Sequence, residues 1–180
     1  YESQQFPCEV GLSVSEEGLP AGDYEFLVYA WKFVGLKPDI RLVAVCENPN
    51  IQENIMSYIK YAADYKFDDS MHVGAWNSMD ALHHENWQIA KEEYEKAVAE
   101  DCHYRLDQLT ESNTKREIAF QKEINKYKAE GMDERIIRMK TGQMEKLKRD
   151  YEAQVKKTED VQRKADIHTN LLIRGVLHVE

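Results

Sequence analysis

The chain has 180 residues, 42% of them hydrophobic and 32% charged, with a formal net charge of −9. This length points to one domain, or one domain with an appendage, and five Phe, three Trp and ten Tyr are enough for a real core. The charged fraction exceeds the usual quarter and asks for long solvated surfaces, while no apolar run approaches the roughly 18 residues of a membrane-spanning helix.

Cys8, Cys46 and Cys102 are odd in number and far apart, without a CxxC pair. Reduced thiols in a cytoplasmic protein, with no membrane partner, are the expectation. The chain opens "YESQQFPCEV", without Met and without a signal-peptide layout. An excised piece of a longer polypeptide is expected.

The first half reads as strands. "FPCEVGLSV" alternates loosely and ends in the turn "SEEGLPAGD". "YEFLVYAWKF" is aromatic and β-branched, "GLKPD" turns, and "IRLVAV" is apolar enough for a sheet interior. Short strands separated by such turns most simply form an antiparallel meander. A helix begins near "NPNIQENIMSYIKYAADY", with Asn48 or Asn50 as cap, Pro49 in the first turn and an apolar face of Ile51, Ile55, Tyr58, Ile59 and Ala62. "KFDDSMHVGAWNS" reads as a loop holding Gly74 and Trp76, the latter a contact residue or a lid on the sheet.

From Met79 the pattern stays helical. Met79, Leu82, Ile89, Tyr94, Ala97, Val98, Leu106 and Leu109 recur at threes, fours and sevens. "TESNTKRE" offers a break, because Thr114 with Glu117 fits a capping box. Ala119, Phe120, Ile124 and Tyr127 continue the face to Gly131, which is placed to end one helix before Asp133 opens the next. The following helix holds Ile137, Met144, Tyr151, Thr158 and Ala165 at spacings of seven, with Leu147 and Val161 as a partial second row. That worn heptad suits a two-helix antiparallel hairpin. Gly142 inside it marks a close contact or a bend. "NLLIRGVLHVE" returns to strand character.

The expected architecture is α+β: a small mixed or antiparallel sheet with a packed helix, and a long antiparallel helical hairpin inserted before the last strand. Its parts are a sheet-rich body over 1–78, a projecting hairpin over 79–167 turning near Gly131, and a closing strand over 168–180.

Charge divides along the chain. Residues 1–111 hold 8 Lys/Arg against 21 Asp/Glu, and residues 112–165 hold 15 against 10. Such a split suggests different partners for the two parts. In "EKLKRDYEAQVKKTEDVQRK" (145–164), Glu145, Glu152 and Glu159 each stand four residues before Arg149, Lys156 and Arg163, so this stretch reads as a solvated, ion-paired face. Nucleic-acid contact fits the preceding helix better. Lys115, Lys122 and Lys126 fall within about 40° of one another around a helix. No acid stands four residues upstream of Lys122 or Lys126, and Arg135, Arg138 and Lys140 lie just across the turn. These six are the candidate phosphate contacts, weighed against ordinary solvated cations. No aromatic interleaves the lysines, so stacking on single strands is not expected.

Catalytic and metal signatures do not emerge. His83 and His84 are adjacent and point to different sides of a helix, and Asp80 with His84 fits a surface hydrogen bond. "AKEEYEKAVAED" reads as a solvated face, "GLSVSEEG" does not match the G-x-S-x-G elbow, and no phosphate loop is present. No cofactor is expected in this chain. Trp31 and Trp87 are most simply core.

Two stretches, "LPAGDYEFLVYAWKFVGLKPDIRLVAV" and "RIIRMKTGQMEKLKRDYEAQVKKTEDVQRKADIHTNLLIRGVLHVE", resemble the extreme C-terminal region of bacterial Swi/Snf-type helicase-like ATPases of the RapA group. The residues that carry the resemblance are Arg135, Ile136, Arg138, Met139 and Gln143, then Gly175, Val176 and Leu177. They cover about two thirds of the chain; Tyr65 to Thr114 has no counterpart. The resemblance implies an ATP- and Mg-dependent motor upstream on the same polypeptide, working on double-stranded DNA or a protein–DNA complex, with this piece as its non-catalytic tail. The alternative is a stand-alone coiled-coil-type protein-interaction adaptor.

Overall fold

The computed structural model describes residues 7–15, 19–66 and 76–180. Five strands form one mixed sheet: β1 (Cys8–Val14), β2 (Gly22–Val34), β3 (Asp39–Cys46), β4 (Ala63–Asp64) and β5 (Asp166–Val179). Between them run α1 (Pro49–Gln52), α2 (Ile55–Tyr61), α3 (Trp76–Ala129) and α4 (Glu134–Arg163). The α+β class and the long helical pair inserted before the last strand agree with the sequence.

The strand order β3-β2-β5-β1-β4 corrects the meander. β5, the last strand, enters the middle of the sheet, antiparallel to β2 and parallel to β1. Parallel neighbours cannot be joined by a tight turn. The whole chain from β2 to α4 lies between them instead. The two-residue β4, paired with β1 at Leu12 and Ser13, is too short to leave a sequence pattern.

Both faces of β2 are covered, which explains its unbroken run of apolar and aromatic residues. On one face Phe26 and Val28 pack with Ala44, Cys46, Leu177 and Val179 beneath Ile51, Ile55 and Tyr58 of α1 and α2. The single helix expected there is two: Asn48 caps α1 by accepting from Asn50 N at 2.9 Å, and Pro49 occupies its first turn. On the opposite face lie Leu27, Tyr29, Trp31 and Phe33, all buried. An irregularity opposite Val28/Tyr29 pairs Val28 with Ile173 and Tyr29 with Leu171, so the register of β5 against β2 shifts by one residue at Leu172. Gly175 faces Phe26: a Cβ there would stand 2.3 Å from the ring, so only glycine admits the aromatic side chain.

The chain falls into two compact units, 1–93 with 166–180 and 94–165. The first is the sheet with the opening turns of α3. The second is the hairpin, where Cys102 reaches Thr158 O (3.7 Å), Thr110 meets Tyr151 (3.0 Å) and Glu123 binds Lys140 (3.0 Å). The falling numbers on α4 against rising ones on α3 make the pair antiparallel. Gly131, at φ +68°, supplies the left-handed residue that stops α3, and the Asp133 side chain accepts from Arg135 N (2.8 Å) to start α4.

The expected break at "TESNTKRE" does not occur, and α3 runs for 54 residues. Without Pro or Gly, that stretch satisfies itself along the helix: Lys115 donates to Glu111 (2.5 Å), and Asn113 donates to Glu117 (2.8 Å). Leu82 and Ile89 of the expected apolar face are exposed; Val98, Cys102 and Ile124 are buried. The seven-spaced row of α4 is half-buried throughout. No helix of the described residues is long and apolar enough to cross a membrane.

Candidate functional site

Within the hairpin, the six cations singled out by sequence stand in different surroundings. Lys115 is tied to Glu111, whose carboxyl the lysine holds below its ordinary pKa. Lys126 pairs with the downstream Glu130 at 3.8 Å, and Arg138 with Glu134 at 3.4 Å. The expectation that Lys126 lacks a local acid is corrected, because the acid follows it by one turn instead of preceding it. Lys140 reaches across the hairpin to Glu123 and lies 5.8 Å from the centre of the Phe120 ring. Glu123 is held below the usual carboxylate range by the Tyr127 hydroxyl first and Lys140 second. Lys140 is thus a clasp between the helices.

Lys122 and Arg135 remain. No carboxylate among the described residues pairs with either. Both are exposed and belong to the half of the hairpin nearest the Gly131 turn. Beside Arg135, Met132, Ile136 and Met139 expose 41%, 36% and 53% of their surface. Ile136 and Met139, three apart, share a side of α4, and Met132 lies in the turn before it. Of the three ion pairs expected over 145–164, none forms; Arg163 instead takes Asp160 at 2.6 Å. For long exposed side chains, alternative partners differ by little free energy.

A second cluster, within the sheet unit, was not legible beforehand. The first turns of α3 lay Met79, His83 and Trp87, spaced by four, onto the sheet. His83 is 3% exposed and stacks on Tyr29, with ring centres 3.4 Å apart. Trp31 Nε1 donates to His83 Nε2 (2.9 Å), and the Thr169 hydroxyl lies 3.2 Å from the same nitrogen. An indole N–H only donates, so Nε2 is an acceptor and the ring is neutral with its proton on Nδ1. Burial drives the His83 pKa below its ordinary value. Tyr29 donates to Asp80 (2.5 Å), which leaves Asp80 engaged with the sheet instead of with His84. Burial first, then Asp80, pushes the Tyr29 hydroxyl well above the usual tyrosine range. Trp87 Nε1 donates to Ile167 O (2.7 Å), and Lys91 binds Asp166 (2.8 Å) where β5 begins.

Trp76 is the first residue of α3, not a loop residue. The Arg174 guanidinium stands 4.7 Å from its ring centre. The rest of the expected 66–78 loop falls mainly on residues 67–75, outside the described residues. On the same sheet, His178 Nδ1 meets Asp23 at 2.6 Å while Tyr65 stacks on its ring at 4.5 Å.

These groups do not assemble reactive chemistry. His83 is sealed and its accepting nitrogen is occupied. Burial raises the Cys46 and Cys102 thiols, which suppresses the reactive thiolate. No group of three metal-ligating side chains comes together among the described residues. The hairpin exposes both charged and apolar side chains. No protein-family model matches the chain, and no curated protein matches it.

Proposed function

We propose that the chain is a non-catalytic accessory region of an ATP-driven DNA helicase or translocase of the Swi/Snf type. Its hairpin contacts DNA or a protein–DNA complex. In this reading ATP and Mg act in motor domains on the same polypeptide, in the cytoplasm, and the sheet unit docks on that motor.

The resembling residues divide by burial, and that division carries the proposal. Gly175, Val176 and Leu177 are buried, and packing alone accounts for them: the glycine admits Phe26, and the other two fill opposite faces. Arg135, Ile136, Arg138, Met139 and Gln143 are on or near the surface of α4. The fold does not require them, which leaves them for contact. Arg135 and Lys122 are also the two candidate cations without an acidic partner, so neither must break an ion pair to meet a phosphate.

Fluorescence anisotropy of a labelled duplex against the full chain tests this reading. Affinity is expected to fall steeply between 50 and 200 mM salt. K122E/R135E should weaken it and flatten the log–log salt slope by about 0.9 per lost contact. K115E, whose lysine is already paired, should matter less. Binding that ignores K122E/R135E contradicts the phosphate assignment. Reading frame upstream of Tyr1 that lacks a phosphate loop and helicase motifs contradicts the motor.

The exposed Met132, Ile136 and Met139 favour a second reading, a protein-interaction adaptor. It predicts no salt-dependent duplex binding, and loss of a captured partner in I136E/M139E.

A further inference from the structure

The edge of the sheet at β3 carries features that the hairpin-based function leaves unused. The ladder groups of alternate residues on an edge strand point away from its neighbour. On β3 the even-numbered residues do so, because Gln52 reaches round to them: Cys46 N donates to Gln52 Oε1 (2.5 Å) and Gln52 Nε2 donates to Ala44 O (3.1 Å). One half of the edge is thus closed by a side chain. At the other half only Ile40 N is covered, by its own neighbour's carboxylate, Asp39 Oδ1 (2.9 Å). The carbonyl of Ile40 and both ladder groups of Leu42 have no strand opposite them among the described residues. The side chains of these same two residues are 66% and 53% exposed, on one face of the strand. Asp39 and Arg41, on the other face, pair with each other at 3.0 Å while Arg41 lies 4.6 Å from the Phe33 ring centre.

We propose that this open half-edge pairs with β3 of a second copy of the chain, antiparallel about a two-fold axis at Ile40. Of the two-fold registers centred on Ile40, Arg41 and Leu42, charge and the Gln52 closure disfavour two. An axis at Arg41 sets Arg41 against the partner's Arg41, a like-charge clash. An axis at Leu42 sets Ile40 against the partner's Ala44, whose carbonyl Gln52 already occupies. An axis at Ile40 leaves the Gln52 closure intact and, once each Ile40 N exchanges Asp39 Oδ1 for the partner's carbonyl, places two hydrogen bonds between the two Ile40 residues. Each Leu42 N–H then meets the partner's Pro38 carbonyl, while the Leu42 carbonyl, opposite a proline without an N–H, stays open to water. Asp39 faces the partner's Arg41 twice over, so the internal ion pair becomes two reciprocal ones. Ile40 and Leu42 of both copies join into one apolar patch on the same face. The strand is self-complementary in charge and apolar surface, with four inter-strand hydrogen bonds to hold the register.

Sedimentation equilibrium of the full chain across a wide concentration range, with charge-swap variants, tests the proposal. The wild type is expected to dimerise reversibly. D39R alone or R41D alone sets like charges opposite each other and should weaken the dimer about tenfold. D39R/R41D restores opposite charges and should recover it. Both positions are exposed, so the variants retain the monomer fold, which circular dichroism checks. A chain that stays monomeric at all concentrations overturns the proposal. A dimer indifferent to the single swaps overturns the edge as its interface.

Discussion

The sheet unit keeps Phe26, Ile51, Met79, Ile167 and Leu177 wholly out of water, whereas no side chain of α4 is fully buried. Body residues are enclosed from two or three elements at once, by strand neighbours and by helices on both faces. A hairpin residue meets one partner helix along a narrow seam and owes the rest to its own helix. Stability therefore concentrates in the body. Substitutions of similar size should read out differently in the two units.

The largest loss is expected from Phe26→Ala, about 3–5 kcal/mol, because the ring fills the space over Gly175 and no neighbour can replace it. Chemical denaturation of the full chain measures it. Ile124→Ala, the corresponding change in the hairpin, should cost about 2 kcal/mol, the low end for such a truncation, since half-buried neighbours can close on the gap. A loss equal to that of Phe26→Ala would remove the distinction.

His83 sharpens the comparison through pH. Its folded pKa lies below the unfolded value of about 6.5. Above 6.5 both states are neutral and the full contribution is present. As pH falls below 6.5 the unfolded chain takes up a proton that the folded chain refuses, so stability drops until the folded pKa is passed. Denaturation midpoints should fall as the pH drops below about 6.5, and H83Q, which keeps an acceptor for Trp31, should flatten the fall.

Gly142 points the other way. It sits inside α4 with nothing within 4 Å of where a Cβ would be. The alternatives of a close contact or a required bend find no support there, and Gly142→Ala should stabilise the hairpin by about 0.5–1 kcal/mol. Asp160→Ala breaks an exposed pair with Arg163 and should change stability by less than about 0.5 kcal/mol.

How much of this was legible follows from where the deciding information lies. The strand "YEFLVYAWKF" and the Gly131–Asp133 turn depend on neighbouring residues, so local pattern finds them. Continuity through "TESNTKRE" was also local, but capping-box spacing concealed the Glu111–Lys115 and Asn113–Glu117 pairs that keep it helical. The place of β5 between β1 and β2 depends on pairing across more than 130 positions, and no local signal encodes it. The His83 cluster draws Tyr29, Trp31, Asp80 and Thr169 from three distant segments. Only the "HH" doublet was visible. For the cations, spacing identified the face, but which acid each one takes depended on rotamers and on the facing helix, as the Glu123–Lys140 clasp illustrates.

Amide hydrogen exchange on the full chain, with and without duplex DNA, tests the division of labour most directly. The account predicts that β2 and β5 amides are the slowest in the free chain and unchanged by DNA. The turns flanking Gly131, from Lys122 to Lys140, should gain protection. Protection gained in the sheet and not around Gly131, or hairpin amides as slow as those of β2, would contradict it.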